Sequence, residues 1–230
     1  NHYPSRNGKG QEKMFLNLLK KEFTLALHPT SVVFVFFAAF VFIPNYPYEV
    51  MCFFSCLSIY FMCLSGRENK DIFFTCMLPV QKGQIALARI VTAVILQTAL
   101  LLLSAFLIVL KAFLLPEMIN QAGLDANLAL IGWGFILFAV FNICYFPMYF
   151  KEPNKIGKPF LISSVILFLL IAAAVTASYT VPFIRNYIDK PGFAYLSYQI
   201  VVLLVGIIAY TLVTALATHL SVRRFEKVDI

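Results

Sequence analysis

Three histidines, eleven carboxylates and five cysteines are the groups in this 230-residue chain able to do covalent or metal chemistry. Their spacing argues against most of it. His2, His28 and His219 stand far apart, so no HExxH pair can hold zinc with a glutamate base between its ligands. No GxSxG elbow is present. The nearest approach to a phosphate-binding loop is Gly157-Lys158, but Pro159 follows it and Glu152 stands where the first glycine belongs. Cys52, Cys56, Cys63, Cys76 and Cys144 form no CxxC pair and no outer-loop pair, which leaves free apolar thiols. Intramembrane proteolysis and metal-assisted hydrolysis both need clustered acids or ligands that these spacings do not supply.

The remaining polar groups interrupt apolar runs. Gln97 and Ser104 lie seven residues apart on one helical face, Asn142 and Tyr145 three apart on another, and Gln199, Thr211, Thr214 and Thr218 punctuate a third run. Polar groups in lipid face protein or water. Gln97, Ser104, Asn142, Tyr145 and Gln199 are therefore candidates to line a path, or alternatively to bridge helices by hydrogen bonds. Ala173, Ala174, Ala177 and Ser178 make a small-residue face suited to close helix packing, including packing between subunits.

The elements that carry these groups follow from hydropathy. Uncharged, mostly apolar stretches occupy 23–48, 50–66, 90–110, 126–150, 159–184 and 191–222. A helical crossing needs about 20 apolar residues. With 61% hydrophobic and 13% charged residues and a mean hydropathy of +0.84, the chain reads as an all-α integral membrane protein with six transmembrane helices. Fifteen of its 18 Lys and Arg residues fall in alternate gaps, and only Lys111, Arg185 and Lys190 fall in the others. Short loops rich in Lys and Arg stay cytoplasmic, so both termini are expected inside. The basic balance is thereby explained by the membrane, and no nucleic-acid partner is expected.

Residues 1–13 are polar and precede Met14, so they are expected to be a leader or vector sequence, outside the functional part. Over 14–28 an amphipathic interfacial helix is expected, with Lys13, Asn17, Lys20, Lys21 and Thr24 toward anionic headgroups and Phe15, Leu18, Leu19 and Phe23 on the other face. The six-helix membrane domain would then cover 29–222, and 223–230 a cytoplasmic tail. Its first crossing is short, because Pro29 and Pro44 bracket it; a steep hairpin with the second crossing is expected. Lys111, one turn from the outer end of the third crossing, is expected to snorkel. All acidic residues fall at or outside helix ends, and no buried ionisable group is evident, which disfavours ion-coupled transport.

The connection 66–88 is the most informative segment. Asn69 is expected to cap a short helix with Asp71 in its first turn. Ile72, Phe73, Cys76, Met77 and Val80 recur at helical steps, and Pro79 stops the helix. Such an element either tucks its apolar side into headgroups or docks a soluble partner.

The run Arg67-Glu68-Asn69-Lys70-Asp71, then Met77-Leu78-Pro79-Val80 and Ala88-Arg89, within six crossings and a leading interfacial helix, resembles the permease subunit of a type-2 ABC exporter. It is similar to the branch that exports phenol-soluble modulin peptides. The resemblance implies a cytoplasmic coupling helix between helices two and three. Glu68, Asn69, Asp71, Ile72, Phe73, Met77, Leu78 and Pro79 would make the ATPase contact, with 14–27 and 151–158 as secondary contacts. It also implies separate cytosolic ATPase subunits carrying ATP and Mg, a second permease copy or paralogue, and surrounding lipid. The chain would hold no cofactor or metal of its own and would sit in a bacterial plasma membrane. The branch has several substrates, so the resemblance does not supply the cargo: amphipathic peptides or other hydrophobic molecules, lipid, antibiotic and small ion all stay open. The alternatives are a secondary transporter or channel without an ATPase, and a membrane-embedded immunity or sensor protein.

Overall fold

Long apolar runs bounded by proline and polar turns fold here into helices. The computed structural model describes residues 8–26, 29–190 and 195–228, and no strand occurs among them. Residues 1–7, which hold much of the expected leader with His2, fall outside the described residues, as does His28. Helix α1 (Gly8–Lys21) starts ahead of Met14 and passes into a π-helical turn over Glu22–Ala26. Helix α2 (Pro29–Val35) opens on its proline, where a missing N–H costs nothing, and continues as a 3-10 helix over Phe36–Phe42.

Among the described residues five helices are long and apolar enough to cross a membrane: α3 (Val50–Glu68), α5 (Lys82–Leu114), α6 (Leu128–Tyr149), α7 (Gly157–Thr180) and α8 (Leu196–Phe225). A sixth crossing exists only if the bent pair Glu12–Leu25 and Pro29–Phe42, which meet at 90°, serves as one span. Residues 29–42 alone reach about 25 Å, short of the roughly 30 Å hydrocarbon core; the 3-10 half, rising about 2.0 Å per residue, supplies most of that reach. The chain is a multi-pass membrane protein. At 33 residues α5 runs about 50 Å. It starts at Lys82 instead of near 88, so its first turns project beyond a bilayer.

Side-chain bonds and rings join α2 to α3. Ser31 Oγ donates to the Ser58 carbonyl (3.0 Å), Ser58 Oγ returns a bond to Ser31 O (3.4 Å), and Phe37 meets Phe54 edge-on at 4.8 Å. The tightest crossing is that of α6 and α8. A Cβ on Gly206 would stand 2.2 Å from the Gly132 carbonyl oxygen, and one on Gly132 2.6 Å from that of Val202. Close packing therefore falls on this glycine pair. Within one chain, Ala173, Ala174 and Ala177 instead line an apolar cleft of about 310 Å³ with Trp133, Ile184 and Val202.

The polar contacts define two ends of the bundle. One end gathers Lys21, Asp71, Lys82, Arg89, Tyr149, Arg224 and Val228: Lys82 Nζ donates to Val228 O (2.6 Å) and Arg224 Nη1 to Pro147 O (2.9 Å). The other gathers Tyr48, Glu49, Lys111, residues 120–127 and 188–190.

Candidate functional site

Helix α4 (Asp71–Cys76) is the shortest α-helix among the described residues, held between α3 and α5 by two tight turns. Lys70 enters it with a left-handed backbone (φ 51, ψ 31), and Leu78-Pro79 ends it before Gln81 opens α5. Asn69 is not its cap. Because α3 runs on to Glu68, Asn69 lies in that helix's final turn and donates to Ser65 Oγ (3.4 Å). Of the residues expected to contact an ATPase, Glu68, Asn69, Phe73, Met77, Leu78 and Pro79 are exposed, whereas Asp71 and Ile72 turn partly inward. Phe74, which periodicity did not single out, is 58% exposed and lies edge-on to Phe73. A groove of about 350 Å³ runs beside this helix, lined by Gly66, Arg67, Lys70, Ile72, Phe73, Pro153, Asn154 and Val228.

Asp71 turns inward because a cation waits there. Arg89, on the second turn of α5, is only 1% exposed. Its Nε donates to Glu22 Oε2 (3.0 Å), its Nη2 to Glu22 Oε1 (3.2 Å) and to an Asp71 carboxylate oxygen, and its Nη1 to Tyr149 Oη (3.0 Å). Lys21 Nζ donates to Asp71 Oδ1 (2.9 Å) and Thr75 Oγ1 (3.0 Å) and pairs with Glu22 Oε1 (3.0 Å). Two cations thus face two carboxylates, and four of the five guanidinium N–H donors have acceptors. Burial alone would raise the Asp71 carboxyl, but the Arg89 charge and the Lys21 bond outweigh it and hold the group below the usual carboxylate range. Gly66 leaves room for the guanidinium: a Cβ there would meet Arg89 Nη1 at 2.9 Å.

This cluster corrects two expectations. Lys21 does not face headgroups, since its ammonium is drawn to Asp71 and Glu22, while Lys20 stays exposed. Buried ionisable groups do exist: Glu22 and Arg89 here, and Glu49, Lys111 and Asp125 at the other end. Sequence reading missed them because helix-end charges look solvated until another element covers them. The pairing of Glu22 with Arg89 spans 67 residues and leaves no local pattern.

The polar residues of the apolar runs separate. Gln97 of α5 and Asn142 of α6 exchange reciprocal amide bonds of 2.8 and 3.0 Å; Tyr210 Oη donates to Gln97 Oε1 (2.8 Å), and Asn142 Nδ2 to Thr214 Oγ1 (3.1 Å) on α8. This buried ring of four side chains ties three helices together. Ser104 lies elsewhere on α5, donating to Leu100 O (2.8 Å) and toward Met51 Sδ (3.3 Å). Tyr145 stacks between Phe141 and Tyr149 near the Arg89 end. Gln199 lies at the opposite end, donating to Lys190 O (3.3 Å).

At that opposite end Lys111 does not snorkel. It is 4% exposed, donates to Tyr48 Oη (3.0 Å), covers the Tyr48 ring and pairs with Asp125 at 3.5 Å, because residues 115–127 fold back over it. Asn120 Nδ2 donates to Tyr46 O and Leu124 O, and Asn127 caps α6 by accepting from Leu130 N (3.1 Å). Glu49 Oε1 accepts from Leu124 N (3.3 Å), while its Oε2 has no partner among the described residues. Burial pushes the Glu49 carboxyl up to about 7. Burial likewise raises Asp189, whose Oδ1 accepts the Asp125 N–H (2.6 Å).

A multi-span helical bundle with a charged knot at one end fits several transporter classes. The profile of ABC-2 family transporter proteins matches residues 17–226, nearly the whole chain. The chain belongs to the ABC-2 transporter family. No curated protein and no solved structure matches it significantly. As an ABC-2 family membrane domain over nearly its whole length, it is a permease-type component. Among the described residues no cluster of three or more His, Cys, Asp or Glu side chains is arranged to hold a metal ion.

Proposed function

We propose that this chain is the membrane half of an ATP-driven exporter, and that α4 is the helix on which a cytosolic ATPase pushes. The observation that carries the reading is the exposed apolar row of Phe73 and Phe74 on α4 and Met77 and Leu78 in the turn after it, on an element anchored by buried charge. An apolar row of this kind at a charged bundle end suits a protein partner. Glu68, Asn69 and Pro79 flank it, and the groove between α4 and residues 153–154 offers a receptacle with Arg67 and Lys70 on its rim. The Lys and Arg bias supports a cytoplasmic position for this end, with both termini inside, and the resemblance to type-2 exporters supports a bacterial plasma membrane. A second permease copy or a paralogue would complete the pathway. Amphipathic peptides of the phenol-soluble modulin kind, or other hydrophobic cargo, suit a membrane interior poor in charge. ATP hydrolysis would switch the pathway between two arrangements only by favouring one of them energetically.

Co-expression with a candidate ATPase subunit tests this. The wild-type chain is expected to co-purify with it, and Phe74→Glu with Met77→Glu to abolish the association. Undiminished association of the double variant would remove α4 from the contact. A second reading, nucleotide-independent transport, draws support from the buried, titratable Glu49. Uptake or release by the chain alone in vesicles without nucleotide would establish it.

A further inference from the structure

Arg89 joins five parts of the chain at one point. Its guanidinium binds Glu22 after α1 and Asp71 on α4, is rooted in α5, bonds Tyr149 at the end of α6, and rests against Gly66 of α3. Lys21 closes the ring by bonding Asp71 and Thr75 of α4 and pairing with Glu22. Apart from these bonds α4 is a six-residue helix between two turns, too short to hold a position by itself. Phe73 and Phe74 face outward, while Ile72 and Cys76 pack against the core and Thr75 is buried. Beyond that thin packing, what fixes the orientation of α4 relative to the membrane helices is electrostatic. A planar fork holding two carboxylates from different elements resists both sliding and rotation, which a single lysine charge would not.

We infer that Arg89 is a positioning residue that welds α1, α4 and the root of α5 into one lever, so that a push on α4 reaches the far end of the bundle. This rests on the ATP-driven reading and goes beyond it, because the docking row would bind an ATPase with or without the weld. Removing one partner alone would strand a buried charge and damage the fold. The pair is therefore removed as a unit. Arg89→Gln with Glu22→Gln keeps hydrogen-bonding groups at both positions and leaves Asp71 to Lys21.

The test uses the permease–ATPase complex in lipid nanodiscs, with spin labels on the lipid-facing positions Leu114 of α5 and Val201 of α8, and ATP with vanadate as the probe. In the wild-type background the distance between these opposite-end labels shifts on trapping nucleotide. In the double variant the shift is lost although ATPase subunits still co-purify and still hydrolyse ATP. A role confined to folding would lower the yield of complex and leave the shift intact in what assembles. Persistence of the full shift in the double variant overturns the inference.

A second arm needs no ATPase. Labels at Leu16 on α1 and Gln81 at the start of α5 should give a narrow distance distribution in the wild-type chain and a broad one in the double variant. Gly66→Ala, whose Cβ would displace Nη1, should give an intermediate width. Equal widths overturn the weld whatever the ATPase does. A wild-type complex showing no nucleotide-driven shift, with the widths behaving as stated, overturns the ATP-driven reading and leaves the weld standing.

Discussion

The α6–α8 crossing has no slack, and Gly206→Ala measures that directly. The added Cβ would lie 2.2 Å from Gly132 O, 2.8 Å from its carbonyl carbon and 2.9 Å from its Cα. Carbon–oxygen contacts between helices settle near 3.3 Å, so the two backbones must separate by about 1 Å where they cross. No side chain can rotate away, because every atom met is backbone. Overpacking of this kind costs about 1–3 kcal/mol, and the better helix propensity of alanine returns at most about 1 kcal/mol. A net loss of about 2 kcal/mol corresponds to a fall of about 5 °C in unfolding temperature for a chain of this size. Separation would also strain the Asn142–Thr214 bond, which spans the same two helices. The assay is thermal unfolding of the detergent-solubilised protein followed by circular dichroism. Gly157→Ala is the control, since a Cβ there meets nothing within 4 Å. Gly132→Ala should match Gly206→Ala, and the double variant should cost less than the sum because one separation relieves both clashes. A Gly206→Ala protein that unfolds at or above the wild-type temperature refutes the close crossing.

Other consequences can be measured on the same preparation. Glu49 prefers its neutral form in the fold, so its contribution to stability is fully present below pH 4.5 and is lost as pH rises through about 7. The difference is about 3 kcal/mol between those limits. Asp189, Asp125, Lys111 and Tyr48 surround this end, but Glu49→Gln should flatten the decline between pH 5 and 8 and leave the variant more stable than wild type at pH 8; an unchanged slope would assign the titration elsewhere. Asn142→Leu leaves Gln97 and Thr214 short of a partner and should cost about 1–2 kcal/mol, part of it recovered in Asn142→Leu with Gln97→Leu. If single and double variants unfold alike, the amide pair contributes nothing. Maleimide should modify Cys76 and Cys144 in the folded protein and reach Cys52, Cys56 and Cys63 only after unfolding, read by mass spectrometry; early labelling of Cys56 would contradict the α3 packing.

Length and hydropathy alone placed most crossings. The ends of α3, α6, α7 and α8 fall within a few residues of their apolar stretches, because lipid admits only internally bonded helices of a set length. Proline marks read correctly for the same local reason: Pro29 opens α2, and Leu78-Pro79 ends the turn after α4. A short helix at α4 was legible from spacing, but of the residues spacing picked only Phe73 and Met77 face outward; Ile72, Cys76 and Val80 pack on the core, and Phe74 joins the outward row. Local pattern could not say which charged side chains turn inward. Lys20 and Lys21 are neighbours of one type, yet one stays exposed and the other is held by Asp71, fifty residues away. Lys111 looked like a residue bound for water until the folded 115–127 segment covered it with Asp125 and Tyr48. One small-residue face was visible, at Ala173 and Ala177, but it lines a cleft while Gly132 and Gly206 form the close contact, since only the helix crossing decides which small residues meet. Hydropathy is a property of each segment and is written in its residues. Pairing of buried charge and contact of bare backbone are properties of two segments at once, and only the tertiary arrangement brings those segments together.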